Sequence, residues 1–502
     1  MNKTRGFRNV GAGILAQSIT IAMGIIIPRL VLVNLGSEAN GLLSSISNVL
    51  TYMTLLEAGV GSATLQALYK PIAEKNIPQI NGILSATHYF YRRTGVIYFT
   101  IVAFVATCYA LFVRSGIPRI QVFLVVLLAG SSGVLSYFFQ GKFKILLSAE
   151  GKKYVSTNIS TGVYILVSLS KVAVLLLGGN VVMVQLAYFA CCLIQMIVFV
   201  IYIRKNYRWL NYREKPDFAA ISQRHAVLVH QIAYLIFNNT DVLILTFFAT
   251  LKDASVYSIY AMIYGEVKTI AVITDGFLYI LGQNYHNREH FVKLFDIYQV
   301  YTMAITTALF CITRIMILPF LRLYTNGVED INYIDKYLPW LFAAFYLLHN
   351  GRQASMNLID IAQKFEDTKW RSVLEAAINI TVSLILTPRL GIYGVLIGTI
   401  VALLYRTNDA IIYASKLIER SSWVTYRRWM TNIGLFVIIS VISSRITFNI
   451  NSYGSLILVG ALLVVIILPL FILVDSIMES KVASYGVHIL KDMIKSRKKS
   501  SI

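Results

Sequence analysis

The stretch IFNNTDVLILTFF, residues 236–248, is apolar enough for a membrane-spanning helix yet carries Asp241 near its middle. An ionised carboxylate at the centre of such a helix costs roughly 2.5–3.5 kcal/mol on insertion scales. The stretch is not isolated. Comparable apolar runs recur along all 502 residues, and about 20 such residues in an α-helix cross a bilayer core. Hydrophobic residues make up 57% of the chain and charged ones 14%, against about 25% charged in an average globular domain. The mean hydropathy is +0.66. The runs are continuous, unlike the alternating strands of outer-membrane barrels. They predict an all-α polytopic membrane protein with about 14 transmembrane helices between residues 10 and 475.

A net charge of +21 raises the question of nucleic acid, and the distribution of that charge answers it. One alternate set of loops holds only seven of the 45 Lys and Arg residues: Arg114, Arg119, Lys252, Arg322, Lys336, Arg389 and Arg445. Most of the remainder fall in the other set, which includes both termini. This is the positive-inside asymmetry. It predicts cytoplasmic termini and no nucleic-acid partner. The N-terminal MNKTRGFRNVGAGILAQ is basic, but the apolar stretch after it is too long for a cleaved signal, so the first helix is expected to be retained.

Several patterns that elsewhere carry chemistry lack their context here. Cys108, Cys191, Cys192 and Cys311 all fall in predicted spans without ligand spacing, so neither a disulfide nor a metal is expected. HNREH at 286–290 has the H-x-x-E-H spacing of a zinc-peptidase class. It sits in a short charged loop with no third ligand. GAGILA at 11–16 opens a membrane helix with no strand before it, so it is no dinucleotide site. No Walker A loop is present, and no cofactor is predicted.

The loops divide the chain. Helices 1–6 occupy residues 1–203, a cytoplasmic linker 204–224, helices 7–12 residues 225–416, and two further helices with a basic tail 417–502. A faint internal repeat supports the two halves. NLGSEANGLLS at 34–44 matches the context of TLKDASVYSIY at 250–260, and LLLGGNVVMVQL at 175–186 that of LTPRLGIYGVLIG at 386–398. Each half starts on the same side, so the repeats are parallel, as in transporters whose halves rock about a midplane site.

Charged residues inside the spans point to that site. The cations are Arg29, Lys171, Lys268, Arg314 and Arg406, and the acids Glu57, Asp241, Glu266, Asp275 and Asp409. Facing lipid, they would oppose insertion by a few tens of kcal/mol in total on the order-of-magnitude scale. They must face each other, backbone groups or a water-filled cavity. Arg406 and Asp409, three apart, are spaced to pair on one helix, while Arg314 and Arg406, near helix ends, also have room to snorkel. Lys268 and Asp275, seven apart, share a helix face. Arg29 follows Pro28, whose missing N–H frees a carbonyl. Arg29, Lys171 and Lys268 are candidates for binding an anion such as a diphosphate. Asp241, flanked by Asn238, Asn239 and Thr240, is a candidate for proton or Na⁺ coupling, with a static salt bridge as the alternative.

The order of Arg29, LGSEANGL at 35–42, LLEAGVGSA at 55–63, YKPIAE at 69–74 and the Asp241 stretch resembles bacterial polysaccharide-transport proteins. These are the O-antigen and capsule-repeat flippases (Wzx-like) of the MOP superfamily, which also holds lipid II flippases and MATE exporters. The resemblance implies two six-helix lobes in a V with helices 13 and 14 appended, and no enzymatic activity. It implies ion-coupled (H⁺ or Na⁺) movement of undecaprenyl-diphosphate-linked sugar repeats across a bacterial cell membrane, alongside other polysaccharide-assembly proteins. Arg29 and Glu57 would line the N-lobe side of the cavity and Asp241 the C-lobe side. Asn40 departs from the aromatic residue many relatives carry before Gly41. A MATE-like exporter of organic cations is the rival within the fold, disfavoured by the intramembrane cations. A membrane polymerase or ligase is the rival from another class; the longest outer loop, about 15 residues, is short for its catalysis.

Overall fold

The computed structural model describes residues 3–57, 60–211, 214–221, 228–271, 277–446 and 448–499. The first two predicted spans form α1 (Lys3–Met53), separated only by a kink at Gly36, where φ is +82° and ψ 176°. That φ lies in the region only glycine enters without a Cβ penalty. A 3₁₀ turn (Thr54–Glu57) and α2 (Val60–Ala73) complete the second span. α3 (Ile77–Phe112) starts at an Asn76 cap, whose side chain accepts from the Gln79 N–H at 3.2 Å. The next span is α4 (Arg119–Leu135), a π turn (Ser136–Gln140) and α5 (Gly141–Ala149). α6 (Lys153–Leu176) and α7 (Val181–Asn206) follow.

After the linker come α8 (Leu228–Phe248), α9 (Leu251–Ala271), α10 (Leu278–Asn284) and α11 (Arg288–Tyr324). α12 (Leu338–Gly351) and α13 (Gln353–Ile361) are one predicted span broken at Arg352. α14 (Phe365–Leu390) and α15 (Ile392–Leu417) form a hairpin turning at Gly391. α16 (Ser422–Ser443), α17 (Tyr453–Met478) and the amphipathic α18 (Ser480–Lys499) end the described chain. Among the described residues there is no strand, and nine helical segments are long and apolar enough to cross a membrane. The protein is an all-α polytopic membrane protein. The nine are the long, strongly apolar segments only: α1 carries two predicted spans through the Gly36 kink as one segment, and α12 and α13 are shorter helices separated at Arg352.

The chain divides into two compact units: Met1–Val256 with Gly327–Ile331, and Tyr257–Asn326 with Asn332–Ile502. In the first, α6 and α8 pack against α1, and α4 packs between α3 and α7. Val31, Leu42, Ile46, Tyr109, Val125, Val184 and Leu251 form one core cluster. In the second unit α11 packs against α12, α16 and α17, while α14 and α15 lie along each other. Tyr260, Phe342, Tyr264 and Tyr346 stack there with successive centroid spacings of 5.2, 5.9 and 5.2 Å. On α17, Ile457, Leu458 and Val465 are about 70% exposed. Fully burying such a side chain is worth about 1.5–3 kcal/mol, so this apolar face is built for lipid.

Candidate functional site

In the first unit the candidate residues sit on α1 and the helices around it. Arg29 is half-buried on α1 directly after Pro28. On α6, the Lys171 ammonium lies 5.1 Å from the Tyr188 ring centroid, within cation–π range. Tyr188 is held in turn by Ser132 at 3.2 Å. Glu57 ends the 3₁₀ turn, and its carboxylate accepts a short hydrogen bond from the Tyr91 hydroxyl. Lys144 and Tyr137 lie within electrostatic reach of it.

Asp241 on α8 is 3% exposed. The preceding Thr240 hydroxyl meets the Tyr52 hydroxyl at 2.5 Å, and the Tyr52 oxygen feels the Asp241 charge. Asn239 turns its amide back to the Leu235 carbonyl at 3.0 Å, and Thr240 donates to the Ile236 carbonyl. A tyrosine hydroxyl thus joins the polar groups beside Asp241, one that chain spacing does not indicate.

In the second unit Lys268 Nζ approaches His349 Nε2 at 2.8 Å, and His349 is buried. With Lys268 as an ammonium, which only donates, Nε2 is the acceptor and the ring N–H is the one on Nδ1. Beside them runs a chain of ion pairs. Arg352 Nη1 donates to Glu375 Oε1 at 2.5 Å, and Arg406 Nε lies 3.7 Å from Glu375 Oε2. Arg406 and Arg371 then share Asp409, at 2.6 and 2.5 Å. With Lys268, four cations face two carboxylates among the described residues. Arg406 does not snorkel to an interface: it is fully buried, and its expected pairing with Asp409 is present. Arg314 stacks on Trp340, with Cζ 3.8 Å from the ring centroid, and donates to the Ser440 carbonyl at 3.2 Å. Asp275, the expected neighbour of Lys268, lies outside the described residues.

Sequence reading missed His349, Arg352 and Glu375. His349 is a lone histidine in an apolar run, Arg352 counts among loop charges, and Glu375 stands one turn inside its span, where its local spacing points to Arg371 rather than to Arg352. Of the HNREH residues, His290 Nδ1 meets the Tyr485 hydroxyl at 2.9 Å and Glu289 pairs with Lys293 at 2.6 Å.

No protein-family profile and no curated sequence matches the chain. Solved structures do. A lipid II flippase, MurJ, in an inward closed conformation superposes with a TM-score of 0.67 at 11% identity, covering 93% of this chain and 99% of that one. The chain has the MATE/MurJ fold. An inward-facing multidrug resistance MATE transporter of the MOP superfamily superposes at 0.62 with 13% identity, covering 80% and 94%. A MOP-superfamily transporter from Pyrococcus furiosus, described as having a binding pocket of reversed polarity, gives 0.50 at 13%, covering 81% and 95%. The fold is therefore shared with transporters and a flippase.

Proposed function

We propose that the chain is a flippase that carries an undecaprenyl-diphosphate-linked oligosaccharide repeat across the bacterial cell membrane for surface polysaccharide assembly. Ion-coupled alternating access would drive it, with both termini cytoplasmic, and the chain would not act as an enzyme. The observation that supports this reading is the largely buried cluster around Lys268, where, among the described residues, four cations face two carboxylates. Excess positive charge in a partly dry setting favours an anionic head, and Arg fits a diphosphate through paired donors. Arg29, Lys171 and Lys268 would hold the diphosphate, and Asp241 or Glu57 would exchange H⁺ or Na⁺ with the two sides.

The rival is export of organic cations; one MATE neighbour is described as a multidrug resistance transporter. The sign of the Lys268 cluster speaks against it. The deciding assay uses the full chain in proteoliposomes, scoring movement of a lipid-diphosphate oligosaccharide and uptake of an organic cation in parallel. Lipid movement lost in Arg29→Ala and Lys268→Ala, with protein abundance unchanged, supports the proposal. Wild-type lipid movement by the double variant, or cation uptake alone, overturns it.

A further inference from the structure

Away from the charged cluster, the first unit holds a cavity of about 710 Å³ between the π turn with α5 and the end of α7. This volume is in the range of small-molecule sites. Its wall has a direction. On α7, Ile197, Val200 and Ile201 form an apolar stripe that continues into Arg204 one turn on, then into Arg208 beyond the helix end. On the other side, Phe138 and Phe139 come from the π turn, and Lys142 follows on α5. π turns are rare and concentrate at functional sites. The cavity is apolar along its length and carries three cations, and none of its described lining residues is acidic.

The side chains around it favour an amphiphile. Phe139, Ile197 and Ile201 are 42%, 50% and 59% exposed, so the apolar wall opens onto the outer surface of a helix bundle that lives in lipid. Lys142 is held in place, 6% exposed, with Nζ 2.9 Å from His88 Nδ1. Tyr207 is fixed at the same end by Glu150, whose Oε2 accepts a hydrogen bond from its hydroxyl at 2.6 Å. A hydrocarbon chain matches the stripe, and a phosphate head matches the cations at one end. A free phosphate would leave the stripe uncovered, and a zwitterionic head would bring its own cation up against the three positive charges.

We infer that this groove is a binding site for an anionic phospholipid of the surrounding bilayer, with its phosphate at Lys142, Arg204 and Arg208 and an acyl chain along α7. The site stands independently of the proposed substrate, because the measurement reads lipid retention and melting rather than transport.

The test takes the full-length protein in detergent and titrates phosphatidylglycerol, phosphatidylcholine and inorganic phosphate, reading bound lipid by native mass spectrometry and the melting temperature alongside. Phosphatidylglycerol should bind at least about tenfold more tightly than phosphatidylcholine and raise the melting temperature, with inorganic phosphate giving no shift. Arg204→Gln with Arg208→Gln, both at exposed positions, should remove that preference without lowering the lipid-free melting temperature. Val200→Trp should block retention by filling the groove. Lys70→Gln with Lys75→Gln, an exposed control pair, should bind like wild type. Equal binding of the two lipids, the same shift from inorganic phosphate, an unchanged preference in the Arg204/Arg208 variant, or an equal loss in the control pair would each overturn the site.

Discussion

Both carboxylate oxygens of Asp330 bind Ser37 across 293 residues of chain: Oδ2 accepts the Ser37 N–H at 2.9 Å and Oδ1 its hydroxyl at 2.7 Å. Ser37 opens the second half of α1, just after the Gly36 kink. An acid at this point satisfies an orphan helix N–H and meets the positive end of the helix dipole. The Asp330 carbonyl accepts from Lys252 Nζ at 3.1 Å, so one loop residue ties the first helical turn to the start of α9. Asp330→Ala should lower stability by about 1–3 kcal/mol, read as an earlier thermal unfolding transition. Asp330→Asn, which keeps one acceptor, should lose less. Equal melting of Asp330→Ala and wild type would show the cap to be idle.

Gly41 predicts a contrast between two glycines. A Cβ at Gly41 would stand 1.8 Å from the Leu251 carbonyl oxygen, whereas one at Gly434 meets nothing within 4 Å. Asn40 beside it donates to Ser255 at 2.7 Å, so the two stretches of the faint repeat, 34–44 and 250–260, touch inside one unit. Gly41→Ala should force the α1 and α9 backbones apart and reduce folded yield. Gly434→Ala should be neutral or stabilise by about 0.5–1 kcal/mol, because alanine is the better helix former. Comparable yields for the two variants would refute the close approach.

Glu375 stands between Arg352 and Arg406, and both arginines are buried. Glu375→Gln leaves two buried cations short of a counter-charge, and breaking such a pair costs about 3–5 kcal/mol. The variant should be recovered from membranes at reduced abundance. Adding Arg352→Gln should restore part of it by removing one unmatched charge. A double variant no better than the single would show that the pairing does not set stability.

Asp241 separates a coupling group from a strut. If the proposed coupling holds, Asp241→Asn abolishes gradient-driven movement of lipid-linked oligosaccharide in vesicles, and Asp241→Glu retains a fraction. Removing the Tyr52 hydroxyl with Tyr52→Phe should alter the pH or Na⁺ dependence of transport, since Tyr52 holds Thr240 next to the carboxylate. Should Asp241→Asn respond to an imposed gradient like wild type, Asp241 has no part in coupling.

The sequence alone determined that this chain is a bundle of membrane helices, because length and hydropathy are local properties of each run. It also placed the Arg406–Asp409 pair, since an i, i+3 spacing acts within one turn. Lys268 with His349, Arg352 with Glu375, Asp330 on Ser37 and Gly41 against Leu251 were decided by tertiary structure only. In each of these, the partners sit on different segments, 23 to 293 residues apart for the three hydrogen-bonded pairs. A buried charge announces in one dimension that it needs a partner. Which partner it finds depends on how the helices pack, and no local spacing records that.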